Sequence, residues 1–89
     1  MRPDAKRARE LFKLAAERGF LDAQADIAAM YEQGKGLRKD PERAYYHYTL
    51  ASLGQNRKGE AEARRLAASL PPAAVERARR EVEAWRKRN

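Results

Sequence analysis

Residues 40–54 of this chain read DPERAYYHYTLASLG, and residues 4–18 read DAKRARELFKLAAER. The two stretches are 36 positions apart and share aspartate, arginine, leucine and two alanines at corresponding positions, while Phe12 corresponds to Tyr48. Internal similarity at a period of roughly 20–50 residues is typical of repeat proteins, in which each unit buries its apolar face against its neighbours. The sequence therefore predicts a repeat with a surface that holds another molecule.

Apolar residues recur at a spacing of about 3.6 along the chain, which indicates helices, and no alternating strand pattern is present. Asp40 and Pro41 form the clearest helix start, because aspartate caps free N–H groups and proline fits the first helical position. Gly19 is expected to end the first helix, as Gly54 is expected to end the third. We predict an all-α chain, an α/α solenoid of about five antiparallel helices near residues 4–18, 21–33, 41–53, 57–70 and 72–88.

The larger apolar and aromatic side chains of these helices are expected to form the seam between neighbouring helices. Small residues such as Ala23 and Ala44 let helix backbones approach closely, and tyrosine rings fill the space between pairs. The residues expected to pack in this seam are Phe12, Ile27, Tyr31, Tyr48, Leu66, Val82 and Trp85.

The chain has 89 residues and a net charge of +7, which is unevenly distributed. Residues 1–21 carry a net charge of +3, residues 22–53 carry −1, and residues 54–89 carry +5. There is no cysteine, so the sequence excludes disulfides and thiolate zinc sites. Its apolar runs are shorter than the roughly 20 residues that span a bilayer. If Met1 is the native start, we expect a cytoplasmic protein, because a secretory leader is not evident.

No arrangement of residues predicts catalysis, a metal site or a cofactor. Residues 34–36 read GKG, but they lack the preceding strand and the further residues of a phosphate-binding loop. His47, the single histidine, has no nucleophile or orienting carboxylate at helical neighbour positions, so we expect it to pack. The sequence therefore predicts a protein that is not an enzyme.

One stretch has small residues, tyrosines and glycines at the spacing of a known family. The matching positions are Ala23-Gln24, Ile27-Ala28, Met30-Tyr31, Gly34, Gly36-Leu37, Asp40, Arg43-Ala44, Tyr48 and Ala51-Ser52. They resemble the Sel1-like repeat, a relative of the tetratricopeptide repeat, although His47 stands where that family usually has tryptophan. The resemblance implies one domain over residues 1–89, with half of a preceding repeat at 4–20, a full repeat at 21–54, and a last half repeat plus a closing helix at 55–89.

The resemblance also implies a scaffold or adaptor that binds a protein or peptide on its concave surface and thereby tethers, regulates or inhibits it. Tyrosine is favoured at recognition surfaces, so we include Tyr45 of the third helix among the residues of that surface. The candidate partner-binding residues are Asp22, Asp26, Ala29, Met30, Gln33, Tyr45 and Arg64.

Two other partners are considered. The array starts in the middle of a repeat, so the first helix is expected to expose a face that another copy of the chain could cover. The basic C-terminal third also fits a module that binds nucleic acid or another polyanion. This alternative is disfavoured because glutamates are interspersed there and can pair with arginines four residues away, as Arg77 with Glu81 and Arg79 with Glu83.

Overall fold

The computed structural model describes the backbone of residues 5–89, and the side chains of all of these except 5, 6, 8, 9, 11–13 and 15. The described part contains four helices and no strand. They are α1 (Ala5–Gln33), α2 (Pro41–Leu53), α3 (Arg57–Ser69) and α4 (Pro72–Arg88). The predicted all-α class is confirmed, and the bounds predicted for the last three helices agree with the structure to within one residue.

The prediction of two separate helices at 4–18 and 21–33 is wrong, because α1 continues through Gly19 for 29 residues. A glycine inside a helix costs only about 1 kcal/mol, so it does not end a helix by itself. Here Phe20 stacks on Trp85 of α4, with ring centroids 5.7 Å apart, and Leu21 is buried against α2 and α4. These contacts fix the backbone after Gly19 in the helical direction. The predicted cap at Asp4 lies outside the described residues.

Helix α2 lies at the centre of the molecule, because α1, α3 and α4 each pack against it. Alanines at the crossings allow this close approach: Ala28, Ala44 and Ala78 are completely buried. Between them, Tyr48 and Leu50 supply the bulk and are almost fully buried on different sides of α2. Burial of apolar groups on several sides of one helix is the main source of stability in an arrangement of this kind.

Local signals in the sequence determine where the central helices begin and end. Asp40 accepts a hydrogen bond from the Arg43 N–H at 3.1 Å, and Asn56 accepts one from the Gly59 N–H at 2.8 Å. At the end of α1, Gly34 has a φ of 71°, and the following Lys35 N–H donates to the Met30 carbonyl at 3.0 Å. Glycine adopts this left-handed conformation without the strain that a side chain would add.

Gly59 has a packing role that the sequence analysis did not predict. A Cβ atom at this position would lie 2.7 Å from Cβ of Ala51 and 2.9 Å from the carbonyl oxygen of Tyr48. The α2 and α3 backbones are therefore so close that only hydrogen fits at Gly59. The cap at Asn56 starts α3 three residues earlier and positions this glycine against α2.

The residues predicted to pack differ in their degree of burial. Tyr48, Leu66 and Val82 are buried, whereas Ile27, Tyr31 and Trp85 are half-buried. Ala23, which was expected to lie at a close helix contact, is exposed instead. The predicted role of Phe12 lies outside the described residues.

His47 lies among aromatic rings and makes one polar contact. Its ring stacks on Tyr31, with centroids 5.4 Å apart, and meets the edge of Tyr46 at 4.9 Å. Because Nε2 of Gln24 donates to the Phe20 carbonyl, Oε1 of Gln24 faces His47 and accepts from Nδ1 at 2.6 Å. Burial, with a smaller contribution from the positive charge of Arg43, lowers the pKa of His47 to about 4 from its ordinary 6.5.

The first prediction concerns the close contact at Gly59. Overpacking costs about 1–3 kcal/mol, and replacing glycine inside a helix gains about 1 kcal/mol. Since a contact of 2.7 Å is far too short for two carbon atoms, we expect the cost to be larger and Gly59→Ala to lower the free energy of unfolding by up to about 2 kcal/mol in urea titrations followed by circular dichroism. Gly19→Ala is the matched control, since nothing lies within 4 Å of the added atom. Equal effects at the two glycines would contradict the close approach of α2 and α3.

The second prediction follows from the lowered pKa of His47. As the pH falls, the unfolded chain binds this proton first, so stability is fully present above about pH 6.5 and is lost down to about pH 4. The loss attributable to His47 is at most about 3 kcal/mol. We expect His47→Phe, which keeps an aromatic ring, to remove this part of the pH dependence in urea titrations between pH 4 and 7.5. Carboxylates titrate equally in both proteins, so identical pH profiles would contradict the buried, neutral histidine.

Candidate protein-binding groove

A groove runs between α3 and α4, because both helices pack against α2. Two adjoining cavities form it, one of about 260 Å³ over α2 and one of about 470 Å³ towards the α3–α4 connection. The two cavities share Ala67 of α3 and Arg79 of α4, which makes the groove continuous. It is open to solvent along its length, as a site for an extended segment must be.

The two ends of the groove differ in chemistry. The end over α2 is lined by the polar residues Thr49, Ser52, Glu60 and Arg64. The other end has an apolar wall of Leu70, Pro72 and Val75, with Glu76 at its edge. A polar end that fixes direction and an apolar end that supplies area are features of peptide-binding sites.

Tyr45 forms the floor of the groove and joins α2 to α4. Only 3% of the residue is exposed, and its hydroxyl accepts a hydrogen bond from Nε of Arg79 at 3.1 Å. The bond uses Nε, and no other described hydrogen bond engages the guanidinium group of Arg79, which lines both cavities. Arginine presents such groups in a planar fork that suits carboxylates.

Most of the other arginines in the core helices pair with glutamates. The observed pairs are Arg43–Glu81, Arg65 with Glu32 and Glu62, Arg77–Glu42, Arg80–Glu76 and Arg86–Glu83. The hydrogen bond from Arg77 lowers the pKa of Glu42. The predicted helical pairs Arg77–Glu81 and Arg79–Glu83 are wrong, because Arg77 and Arg79 reach across to α2 instead. Among the described side chains, Arg64 and Arg79 have no carboxylate within ion-pair distance.

The structure brings two of the predicted partner-binding residues together, since Tyr45 and Arg64 line the same cavity. The other five lie on α1 and do not line this cavity. Of these, Asp22, Asp26, Met30 and Gln33 are exposed, and Ala29 is half-buried. The sequence analysis missed Thr49, Ala67 and Arg79, although the four-residue spacing of Arg79 from Val75 could have placed both on one side of α4.

A second exposed surface surrounds the point where α1 passes the ends of α2 and α4. It consists of Leu14, Phe20, Leu53 and Trp85, which line three shallow cavities together with Glu17. Leu14 is 60% exposed and Phe20 is 46% exposed, although both are large apolar side chains. We call these four residues the apolar patch.

Within the part of the chain that the structure describes, no group of acidic or histidine side chains is arranged to hold a metal ion. In the same residues, no helix combines the length and apolar character needed to cross a membrane.

Comparison with protein families identifies the repeat. The Sel1 repeat model matches residues 1–20 and residues 21–56, which is well over half of the chain. The division falls inside α1, next to Phe20. Comparisons with curated proteins and with solved structures gave no match. On the evidence of the two matched segments, the chain belongs to the Sel1 repeat family.

Proposed function

We propose that residues 1–89 act as one non-catalytic protein-binding domain that holds a peptide segment of its partner in the groove between α3 and α4. Sel1 repeats generally mediate protein–protein interactions. The observation that carries the proposal is the pair Arg64 and Arg79, whose guanidinium groups line the groove without a carboxylate partner among the described residues. Adaptor and inhibitor roles both follow from occupancy of such a groove.

The charges and shape of the groove define the class of peptide. Glu60 lines the polar end together with Arg64 and Arg79, so that end keeps a net positive charge of one. The two arginines therefore favour one acidic side chain or a carboxyl terminus, and Ala63 and Ala67 leave room for it to approach α3 closely. Small or branched apolar side chains fit against Leu70 and Val75. We therefore propose a segment with one acidic residue followed by an apolar residue.

The α1 residues Asp22, Asp26, Ala29, Met30 and Gln33 belong to a different surface in this proposal. They do not share a cavity with Arg64, so one short peptide does not contact both sets. We propose that this surface serves self-association of two chains. The repeats of the two chains would then stack on one another as in an α/α solenoid. The acidic pair Asp22 and Asp26 is suited to a basic segment.

The alternative of a polyanion-binding module has less support. Four arginines of residues 54–89 are paired with glutamates of the same chain, two of them with Glu32 and Glu42 from outside that segment, so the positive charge there is dispersed among ion pairs. Binding to polyanions depends steeply on salt, which separates it from peptide binding.

The third prediction tests the groove. Peptides selected from a displayed random library by binding to the chain should be enriched in acidic residues. Arg64→Glu and Arg79→Glu should each weaken a selected peptide by about tenfold or more, measured by fluorescence anisotropy, because like charges then face each other. Lys58→Glu is the control, since it makes the same charge change on α3 outside the groove.

Arg64→Glu should keep the thermal transition of the parent chain, because Arg64 is exposed. Arg79→Glu also loses the hydrogen bond to Tyr45, so its thermal transition should fall slightly, and its peptide affinity is measured well below that transition. If Lys58→Glu weakens the peptide as much as Arg64→Glu, the interaction is general charge attraction and the groove is not the site. The polyanion alternative is tested with a random RNA or DNA oligomer. Tight binding that weakens steeply between 50 and 200 mM salt would favour this alternative, because about 6–10 phosphate contacts produce such a salt dependence.

A further inference from the structure

The second of the two similar stretches, residues 40–54, contains α2, which packs against the helix that follows it. Between α2 and α3 the chain reverses direction at residues 54–56, where Gln55 adopts a left-handed φ of 64° and Asn56 caps α3. As a result, α2 covers the face of α3 formed by Gly59, Ala63 and Leu66. Gly59 is buried and Leu66 is 4% exposed on this face.

The corresponding face in the first copy is uncovered. Thirty-six positions earlier stand Ala23, Ile27 and Met30. Ala23 is exposed, Ile27 is half-buried and Met30 is 41% exposed. We call these three residues the open face of α1.

The segment that should cover the open face is residues 5–18, because it corresponds in sequence to α2. In the structure this segment is part of the continuous helix α1, so it does not fold back onto a face of the same helix. Its Leu14 is 60% exposed, whereas the corresponding Leu50 of α2 is 1% exposed. Among the described side chains, Leu14 of this segment is therefore exposed, and the open face is not covered by the segment that corresponds to α2.

We propose that two copies of the chain exchange residues 5–18, so that this segment of each copy packs on the open face of the other. The contact is reciprocal, as a twofold dimer requires. Charge supports a second copy as the occupant: residues 5–18 contain five basic and two acidic residues, and Asp22 and Asp26 are exposed next to the open face. The inference deepens the proposed self-association and does not depend on peptide binding in the groove.

Residues 19 and 20 form the junction between the exchanged segment and the open face. A reversal of the chain there would let residues 5–18 cover the open face of their own chain, which we call closure, and a helical junction requires exchange. Gly19 occupies the position of the left-handed Gln55, so the backbone there tolerates a reversal. Phe20 occupies the position of Asn56 but has no side-chain oxygen to cap a new helix, and its ring stacks on Trp85. Lack of a cap and the stacked ring both favour the straight helix that exchange needs.

A pair of engineered cysteines tests the exchange in the full chain, which has no cysteine of its own. Ala15 and Ala23 correspond to Ala51 and Gly59, the closest pair between α2 and α3. After mild oxidation of Ala15→Cys/Ala23→Cys, we expect a covalent dimer on a non-reducing gel. Ala15→Cys/Ala61→Cys is the control, because Ala61 is exposed on α3 and is not part of the open face.

Four other results would overturn the inference. A disulfide within one chain would show closure at Gly19, and equal cross-linking of the control pair would show unspecific collision. Sedimentation of the unmodified chain measures whether it forms a dimer at all. A dimer whose 15–23 pair does not cross-link would overturn the exchange and leave self-association standing, whereas a monomer at all concentrations would overturn both.

Two substitutions at the junction should change the competition between exchange and closure within one chain in opposite directions. Alanine favours a helix interior over glycine by roughly fivefold, so Gly19→Ala in the 15–23 cysteine variant should disfavour closure by about that factor and keep the disulfide between chains. Phe20→Asn supplies the cap found at Asn56 and removes the ring from Trp85, so it should favour closure and raise the share of disulfide formed within one chain. A share of disulfide within one chain that does not rise with Phe20→Asn, or that rises with Gly19→Ala, would contradict the role of the junction.

Discussion

Helix α2 can pack against three other helices because its contacts are made by very small side chains. Ala44 and Ala51 have no exposed surface, and Gly59 of α3 approaches Ala51 so closely that a methyl group does not fit between them. Contacts of this kind bring the backbones together, and Tyr48 then fills the space that remains beside them. Every other feature of the molecule, including the direction of α4 and the position of the groove, depends on this close approach to α2.

The groove is a consequence of the same arrangement. α3 and α4 each bury their apolar stripe against α2, so they diverge from each other instead of forming a closed bundle. The floor between them is Tyr45, a residue of the central helix, and Arg79 is fixed to that floor by a hydrogen bond. The proposed binding surface rests on packed helices, and a preorganised surface of this kind lowers the entropic cost of binding a peptide.

Much of this fold could be predicted from local signals in the sequence. Asp40 and Pro41 fix the start of α2, Asn56 caps α3 and the two prolines at 71 and 72 separate α3 from α4. Contacts between distant parts of the chain could not be predicted in the same way. Arg77 has suitable glutamates both four residues away and on α2, and the choice of Glu42 depends on where α4 lies. The same limit applies to the proposed groove. Arg64 lies on a helix face that periodicity identifies, whereas placing Arg79 in the groove requires knowing that Tyr45 lies beneath it.

The chain reverses at residues 54–56 but stays helical at residues 18–20, although both junctions contain a glycine. At residues 54–56 the chain reverses although the left-handed position is occupied by glutamine, because Asn56 caps the next helix and Gly54 leaves room for Leu21. At residues 18–20 the chain stays helical although glycine occupies that position, because Phe20 cannot cap and gains a contact with Trp85 instead. A glycine permits a reversal, but the cap after it supplies the hydrogen bonds that make the reversal stable. The direction of residues 5–18, and with it the exposure of the open face, is therefore determined by Phe20 more than by Gly19.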